Sequence, residues 1–178
     1  FASLAIRNYR IYFFGAFLSN IGTWIQRVAQ DWLVLELSHG SAVAVGVTTA
    51  LQFLPSLLLG PFGGLLADRL DKRLLLCVTQ LWMALSALAL GLLTVTGVAQ
   101  TWHVYVAAFV FGIGSALDVP ARQSFVSEVA TRELLTNAIG LNSTSFNAAR
   151  LIGPGVAGLI IAAWGSGWAI LTNAVSYL

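Results

Sequence analysis

Three charged residues lie away from the ends of segments that are otherwise apolar, and they are the residues of this sequence best suited to chemistry. Arg27 and Asp31 stand four residues apart in the first such segment, and Arg150 lies in a later one. A charge inside a membrane-spanning helix is costly, so it usually pairs with another charge or faces water. Arg27 and Asp31 can also pair along one helix at this spacing. Both interpretations, a self-neutralised pair and a cavity, stay open.

Further polar residues share helix faces with these charges. The first segment carries polar side chains at steps of three and four residues, which places them on one side of a helix: Asn20, Thr23, Arg27, Gln30 and Asp31. The fifth segment repeats the pattern at a matching depth, with Ser143, Asn147, Arg150 and Pro154. Two such faces predict a shared aqueous cavity. Asp31 would there alternate between protonated and ion-paired states, or, alternatively, lie solvated near the outer mouth and only orient Arg27.

The elements that position these residues are too apolar for a soluble domain. Of 178 residues, 58% are hydrophobic and 9% are charged, against about 25% charged in soluble domains. A helix of about 20 apolar residues crosses a bilayer. The sequence therefore predicts an all-α, polytopic membrane protein, with spans over 11–37, 42–67, 74–97, 102–119, 137–163 and a truncated 168–178. The third span, which has few polar side chains, is expected to face lipid.

Basic residues collect beside alternate loops and predict the orientation. Three regions hold seven of them, whereas the loops at 38–41, 98–101 and 164–167 hold none; the seven are Arg7, Arg10, Arg69, Lys72, Arg73, Arg122 and Arg132. The positive-inside rule then places the amino terminus and the loops 68–73 and 120–136 in the cytoplasm. Pro120 disfavours helix beyond residue 119, and the amphipathic stretch 124–136 is expected to lie at the membrane interface.

The composition excludes several other functions. One cysteine, Cys77, and two histidines, His39 and His103, provide neither a disulfide framework nor a zinc site nor a Cys–His catalytic pair. The net charge is +2, and the basic residues are scattered between apolar runs. We therefore expect no surface that binds nucleic acid. The sequence offers no nucleophile–base pair and no metal-ligand cluster for a membrane-embedded enzyme. We therefore expect no enzyme, no metal and no cofactor.

The segment after the second span carries a recognisable motif. It reads Gly64-Leu-Leu-Ala-Asp68-Arg69-Leu-Asp71-Lys72-Arg73 and resembles the G-x-L-A-D-R-x-G-R-K/R signature of the major facilitator superfamily. Asp71 replaces the usual glycine, which would allow a tight turn with positive φ. Gly60 and Gly64 also form a GxxxG pair, which predicts the close approach of another helix.

The resemblance extends into the fourth and fifth spans. Asp118, followed by Pro120 and Arg122, is similar to the superfamily's acidic residue at this place, which implies a cytoplasmic gate that holds the outward-facing state: Gly64, Asp68, Arg69, Lys72, Arg73, Asp118 and Arg122. Alternatively these residues only fix the loop geometry. Gly153-Pro154-Gly155-Val-Ala157-Gly158 resembles the G-P-x-x-G-G motif of the exporters, with Ala157 replacing one glycine. Gly153, Pro154 and Gly158 predict a kink and close packing, as in any such helix.

Residues 25–37, 118–125 and 135–138 resemble more narrowly the enterobactin-exporter and macrolide-efflux branch. This implies the amino-terminal six-helix half of a twelve-helix secondary transporter in the inner cell membrane, and the ends at Phe1 and Leu178 suggest a fragment. The implied function is export of a small organic molecule, drug-like or siderophore-like, by proton antiport with alternating access. The expected partners are membrane lipid, the cargo and a carboxy-terminal half. Alternatives are an importer of the same fold and a non-transporting membrane scaffold or sensor.

Overall fold

Apolar runs separated by short polar turns fold into helices along the described chain. A computed structural model describes residue 3 and residues 7–129 and 134–177, with the side chains at 8, 67, 68, 128 and 129 outside the description. Within those residues there are six α-helices and no β-strand, which confirms the all-α class. The helices are α1 (Arg7–Leu37), α2 (Ala42–Arg69), α3 (Lys72–Val95), α4 (Thr101–Val129), α5 (Leu135–Trp164) and α6 (Ser166–Ser176).

Helix α1 lies inside the bundle and contacts α2, α4, α5 and α6, while α4 also packs against α2 and α3. Small residues allow these close contacts, since Ala29, Ala87, Ala157 and Ala169 are fully buried in the main core cluster. Around this core the helices expose large apolar side chains, such as Leu57 on α2. That distribution suits a bundle surrounded by hydrocarbon rather than by water.

Four of the described helices are long and apolar enough to cross a membrane: α3 and α5 over their whole length, α2 over Ala42–Leu66 and α4 over Thr101–Ser127. Helix α1 is outside this group although its 31 residues exceed the length that a bilayer requires. Its polar stripe, which includes Arg27 and Asp31, lowers its apolar content. The described part of α6 has 11 residues, which is too short to cross a bilayer.

Helix α4 corrects the prediction that the fourth span ends at residue 119 and that 120–136 is a loop. The helix continues through Pro120 to Val129. A proline removes one N–H donor and crowds the carbonyl four residues earlier, here that of Ala116. Gly63 of α2 makes room for both groups, because a Cβ built on it would lie 2.9 Å from Pro120 Cγ and 3.0 Å from Ala116 O. Packing against α2 thus sustains the helix across its proline.

The sequence predicts that the stretch 124–136 lies at the membrane interface, but the last turns of α4 pack against other helices. Val126 is buried in a cluster with Tyr9 of α1 and Ala138 of α5, and the Tyr9 hydroxyl donates to Ala138 O at 2.9 Å. This part of 124–136 is therefore packed into the bundle. Arg132 and the rest of 130–133 lie outside the described residues.

The turn between α2 and α3 shows how Asp71 replaces the usual glycine of the motif. Asp71 has φ −61° and ψ 116°, so this position needs no positive φ. Its carboxylate accepts from the Leu74 N–H at 2.9 Å and caps the first turn of α3. The departure from the motif therefore supplies a helix cap, which typically contributes about 1 kcal/mol.

Candidate functional site

Asp31 is held by α2 rather than by the arginine on its own helix. Its Oδ1 accepts from Gln52 Nε2 at 3.3 Å and from Thr49 Oγ1 at 3.5 Å. The ion pairs formed by the described side chains do not include one between Arg27 and Asp31. The prediction of a self-neutralised pair is wrong for this structure. The half-buried carboxylate is instead held by two neutral donors.

Gln52 connects the polar residues of α1 to α2. It is almost fully buried, and its Nε2 contacts Gln30 Oε1 at 3.1 Å and Arg27 O at 3.5 Å, in addition to Asp31. Two amide hydrogens are thus shared among three acceptors. Gln30, predicted as a cavity residue, is itself buried, so it supports the site from behind.

Arg27 points across the bundle towards α4 and lies among aromatic rings. Its Nη2 donates to Ser115 Oγ at 3.5 Å, and its Cζ lies 4.3 Å from the ring centre of Phe53 and 5.1 Å from that of Trp24. Its Nε is buried and has no hydrogen-bond partner among the residues that the structure describes. Aromatic faces attract a guanidinium, but they do not neutralise it as a carboxylate does.

Arg150 meets Arg27 at Trp24. The exposed guanidinium of Arg150 on α5 lies with its Cζ 5.5 Å from the Trp24 ring centre. Trp24 also packs edge-on against Phe146 of α5, with ring centres 6.3 Å apart. Gly153 permits this contact, since a Cβ there would lie 2.5 Å from Trp24 Cβ. The structure therefore brings the charged residues of α1 and α5 to a single indole.

Asn20 and Asn147 line a cavity of about 260 Å³ among α1, α4 and α5. Phe146, which touches Trp24, forms part of its wall. The remaining lining residues are mostly polar: Val119, Arg122, Gln123, Asn142 and Ser143. We call the surface formed by Asn20, Trp24, Arg27, Asp31, Asn147 and Arg150 the α1–α5 polar face.

Thr23 does not belong to this face. Its hydroxyl lies 2.8 Å from that of Tyr177, after α6, and it also donates to Ser19 O at 3.0 Å. Nearby, Gln26 accepts from Asn173 of α6 at 3.1 Å, and both side chains are buried. This second polar side of α1 joins it to α6 and has a packing role.

The residues of the predicted gate lie at the end of the bundle that carries the α2–α3 turn. Asp118 and Arg122 form a buried ion pair one turn apart on α4. Thr79 of α3 donates to Asp118 at 2.9 Å, and Arg122 donates to Ser19 of α1 at 2.8 Å. The pair thus joins three helices.

Two other basic residues of the gate, Arg69 and Arg73, lie on either side of the α2–α3 turn. Arg69 and Arg73 are exposed, and neither forms an ion pair with Asp118 in the described part of the chain. Lys72 begins α3 beside them. The side chain of Asp68, although predicted to be central to the gate, lies outside the described residues.

The glycines of the motifs differ in what they do. No described atom lies within 4 Å of a Cβ built on Gly60 or Gly64, so the predicted close approach of another helix is made by the neighbouring Gly63. In α5, Gly153 contacts α1, whereas Gly158 has open space beside it. Pro154 lies within the continuous helix α5.

Sequence reasoning missed Trp24 and Gln52. Gln52 had a visible signal, because it is a lone amide in an apolar segment, but nothing in the sequence pairs it with Asp31. Trp24 follows Asn20 by four residues and so shares its helix face. A search for polar side chains alone does not identify it, although Trp is a preferred partner of guanidinium groups.

Together, the apolar exterior and the long apolar helices of the described chain define a multi-pass helical membrane protein. The model of the family described as transmembrane secretion effector matches residues 1–178. The chain belongs to this family of major facilitator superfamily transporters.

The curated relatives are transporters, and several are named for efflux. The chain is 32% identical over 169 residues to the staphyloferrin A transporter of Staphylococcus aureus (strain NCTC 8325 / PS 47), covering 94% of this chain and 42% of that protein. It is 31% identical over 157 residues to the multidrug efflux pump Tap of Mycolicibacterium fortuitum, covering 85% and 38%. It is 27% identical over 125 residues to macrolide efflux protein A of Streptococcus pyogenes, covering 70% and 31%. The chain thus spans well under half the length of these relatives.

Proposed function

We propose that this chain is one six-helix half of a secondary active transporter that exports a small organic molecule through alternating access. The observation that carries the proposal is the α1–α5 polar face, where Arg27, Asp31 and Arg150 lie at membrane depth without pairing with one another. A membrane helix retains such charges where they face a pathway for ions or polar solutes. The polar cavity beside Asn147 supports the same interpretation.

The names of the relatives support export as the direction. Tap and macrolide efflux protein A are named for efflux, and another relative is named as a transporter of staphyloferrin A. The relatives are transporters, which favours transport over catalysis. Since they are more than twice as long as the chain, we assign the other wall of the pathway to a second half of the protein.

We propose that Asp31 couples transport to the proton gradient and that no cofactor takes part. Two neutral donors, Thr49 and Gln52, hold its carboxylate, and neutral partners can stay in place when a carboxylate takes up a proton. A carboxylate whose solvation changes between two states of the transporter can bind and release a proton in each cycle. Arg27, close by on the same helix, favours the charged form when the two side chains approach.

We place the protein in the cell membrane with its amino terminus in the cytoplasm, surrounded by lipid. The basic residues at the α2–α3 turn support this orientation. The Asp118–Arg122 pair lies at that end and joins α4 to α1 and α3 through Ser19 and Thr79. We therefore assign it to the cytoplasmic gate, where its contacts would change as the two halves rock.

The test uses the complete protein in inverted membrane vesicles with an acidic interior, and erythromycin and staphyloferrin A as probes. We expect at least one probe to accumulate only with the gradient, and its addition to raise the interior pH reported by an acridine dye. Asp31→Asn should reduce gradient-driven accumulation at least tenfold. The matched control is Glu36→Gln on the same helix, which should retain it.

Either of two results would contradict the proposal. Gradient-driven accumulation that survives in Asp31→Asn would remove the coupling role of this residue. Loss of a preloaded probe from the vesicles, instead of accumulation, would identify an importer.

A further inference from the structure

Trp24 lies between two cations from different helices. The Cζ atoms of Arg27 and Arg150 each lie within 5.5 Å of the same indole ring centre. Each contact is favourable, because the face of an indole carries negative electrostatic potential. The two guanidiniums nevertheless repel each other, and repulsion is stronger where little water screens it.

No carboxylate of the described residues forms an ion pair with Arg27 or Arg150. Asp31 accepts from Thr49 and Gln52, and Asp118 is paired with Arg122. Among the described side chains, Arg27 finds one hydrogen-bond acceptor, the Ser115 hydroxyl at 3.5 Å, and its buried Nε finds none. Two guanidiniums with free donors at one aromatic ring suit an anion that accepts charge-assisted hydrogen bonds from both.

The surroundings of the two arginines indicate the chemistry of the rest of the ligand. Phe53 lies against Arg27, and Phe146 lies against Trp24, so apolar rings border the charged groups. Phe146 also borders the cavity of about 260 Å³, which is otherwise lined mostly by amide and hydroxyl side chains. A ligand with an acidic group at the arginines and a partly apolar body towards the cavity would satisfy both parts.

We propose that Trp24, Arg27 and Arg150 form a binding site for an organic anion, so that the cargo of this transporter carries carboxylate groups. This inference rests on the proposed export function, because it identifies the substrate class of the same face. The anion bridges α1 and α5, with Arg27 and Arg150 binding its carboxylates and Trp24 contacting its apolar body.

The experiment measures binding to the purified complete protein in detergent by isothermal titration calorimetry. The probe is isophthalate, a planar dicarboxylate, compared with the uncharged isophthalamide and the cation benzamidine, which share the benzene ring. We expect isophthalate to bind at least tenfold more tightly than either. Its affinity should fall as salt is raised, because screening weakens charge pairing.

Variants of the two arginines separate direct binding from effects on folding. Arg27→Gln and Arg150→Gln should each weaken isophthalate binding at least tenfold, whereas Arg27→Lys and Arg150→Lys, which keep the charge, should lose less. Arg10→Gln is the matched control, since it removes an exposed cation from the same helix α1, and it should bind as the unmodified protein does. A melting temperature measured for each variant shows whether it is folded.

The outcomes distinguish this inference from the export function. Equal binding of isophthalate and isophthalamide would overturn the anion site, as would unchanged binding in the two glutamine variants. Because binding is measured without a gradient, vesicles that still accumulate erythromycin would leave export standing after such a result. Conversely, charge-dependent binding without gradient-driven transport would support the anion site and refute the export mechanism.

Discussion

The contact between α1 and α5 depends on the absence of a side chain at Gly153. A Cβ at this position would lie 2.5 Å from Trp24 Cβ and 3.2 Å from Ile21 O. Neither atom can move away by a side-chain rotation, because a Cβ and a backbone oxygen are fixed by the main chain. Gly153→Ala therefore requires α5 to shift from α1 by about 1 Å, from 2.5 Å to the 3.4 Å where ordinary contact begins.

The expected cost follows from this displacement. Overpacking a tight contact typically destabilises by about 1–3 kcal/mol. Replacing a helix-interior glycine by alanine by itself stabilises by about 0.5–1 kcal/mol. Gly155→Ala and Gly158→Ala on the same helix have open space for the new methyl group, so they gain the second effect without the first. Gly153→Ala should be less stable than either by about 1–3 kcal/mol.

The assay is equilibrium unfolding of the complete protein in mixed micelles with increasing dodecyl sulfate, followed by circular dichroism. Gly155→Ala and Gly158→Ala serve as the matched controls. If Gly153→Ala is as stable as these two variants, the close contact between α5 and Trp24 does not exist as described. The inferred role of this glycine in placing Arg150 beside Arg27 would then also be refuted.

Two further predictions concern the end of the bundle that carries the gate. Asp71→Ala should lower the unfolding free energy by about 1 kcal/mol through loss of the α3 cap, while Asp71→Asn, which still accepts the capping bond, should lose clearly less; equal losses in the same micelle assay would contradict the cap. Asp118→Asn should cost about 3–5 kcal/mol by leaving Arg122 buried and unpaired. Adding Arg122→Gln should restore part of that loss, and an additive loss would show that the two charges are not coupled.

The fold followed from the sequence where local chemistry determines it. A long apolar segment forms a helix in a membrane whatever its neighbours are, so the sequence alone was enough to predict the all-α class. At Pro120 the same local reasoning was wrong, because a glycine on another helix, Gly63, accommodates the proline. The motif has a glycine at position 71 and therefore gives no role for Asp71. The cap that Asp71 forms involves only the first turn of the helix that follows it in the chain.

The site could be predicted only in part from the sequence, because its polar groups form hydrogen bonds between different helices. Periodicity placed Asn20, Arg27 and Asp31 on one face, but it could not assign Asp31 to Gln52 instead of Arg27. The rotation of α1 against its neighbours decides that Thr23 contacts Tyr177. Such pairings depend on how helices dock, which single-helix periodicity does not contain.

On the proposed function, the α1–α5 polar face lines a water-filled pathway. Asn147 lies on this face, whereas Ile152 is an exposed apolar residue on the same helix, about 140° away around its axis. In the complete protein with Cys77→Ser, each position is changed to cysteine and treated in membranes with a membrane-impermeant, charged methanethiosulfonate reagent.

We predict rapid labelling of Asn147→Cys, slowed by a transported probe, and no labelling of Ile152→Cys. Both variants are also denatured and labelled to verify that each thiol is present. Labelling of both at the same rate, or of Ile152→Cys alone, would contradict the pathway and with it the proposed transport function.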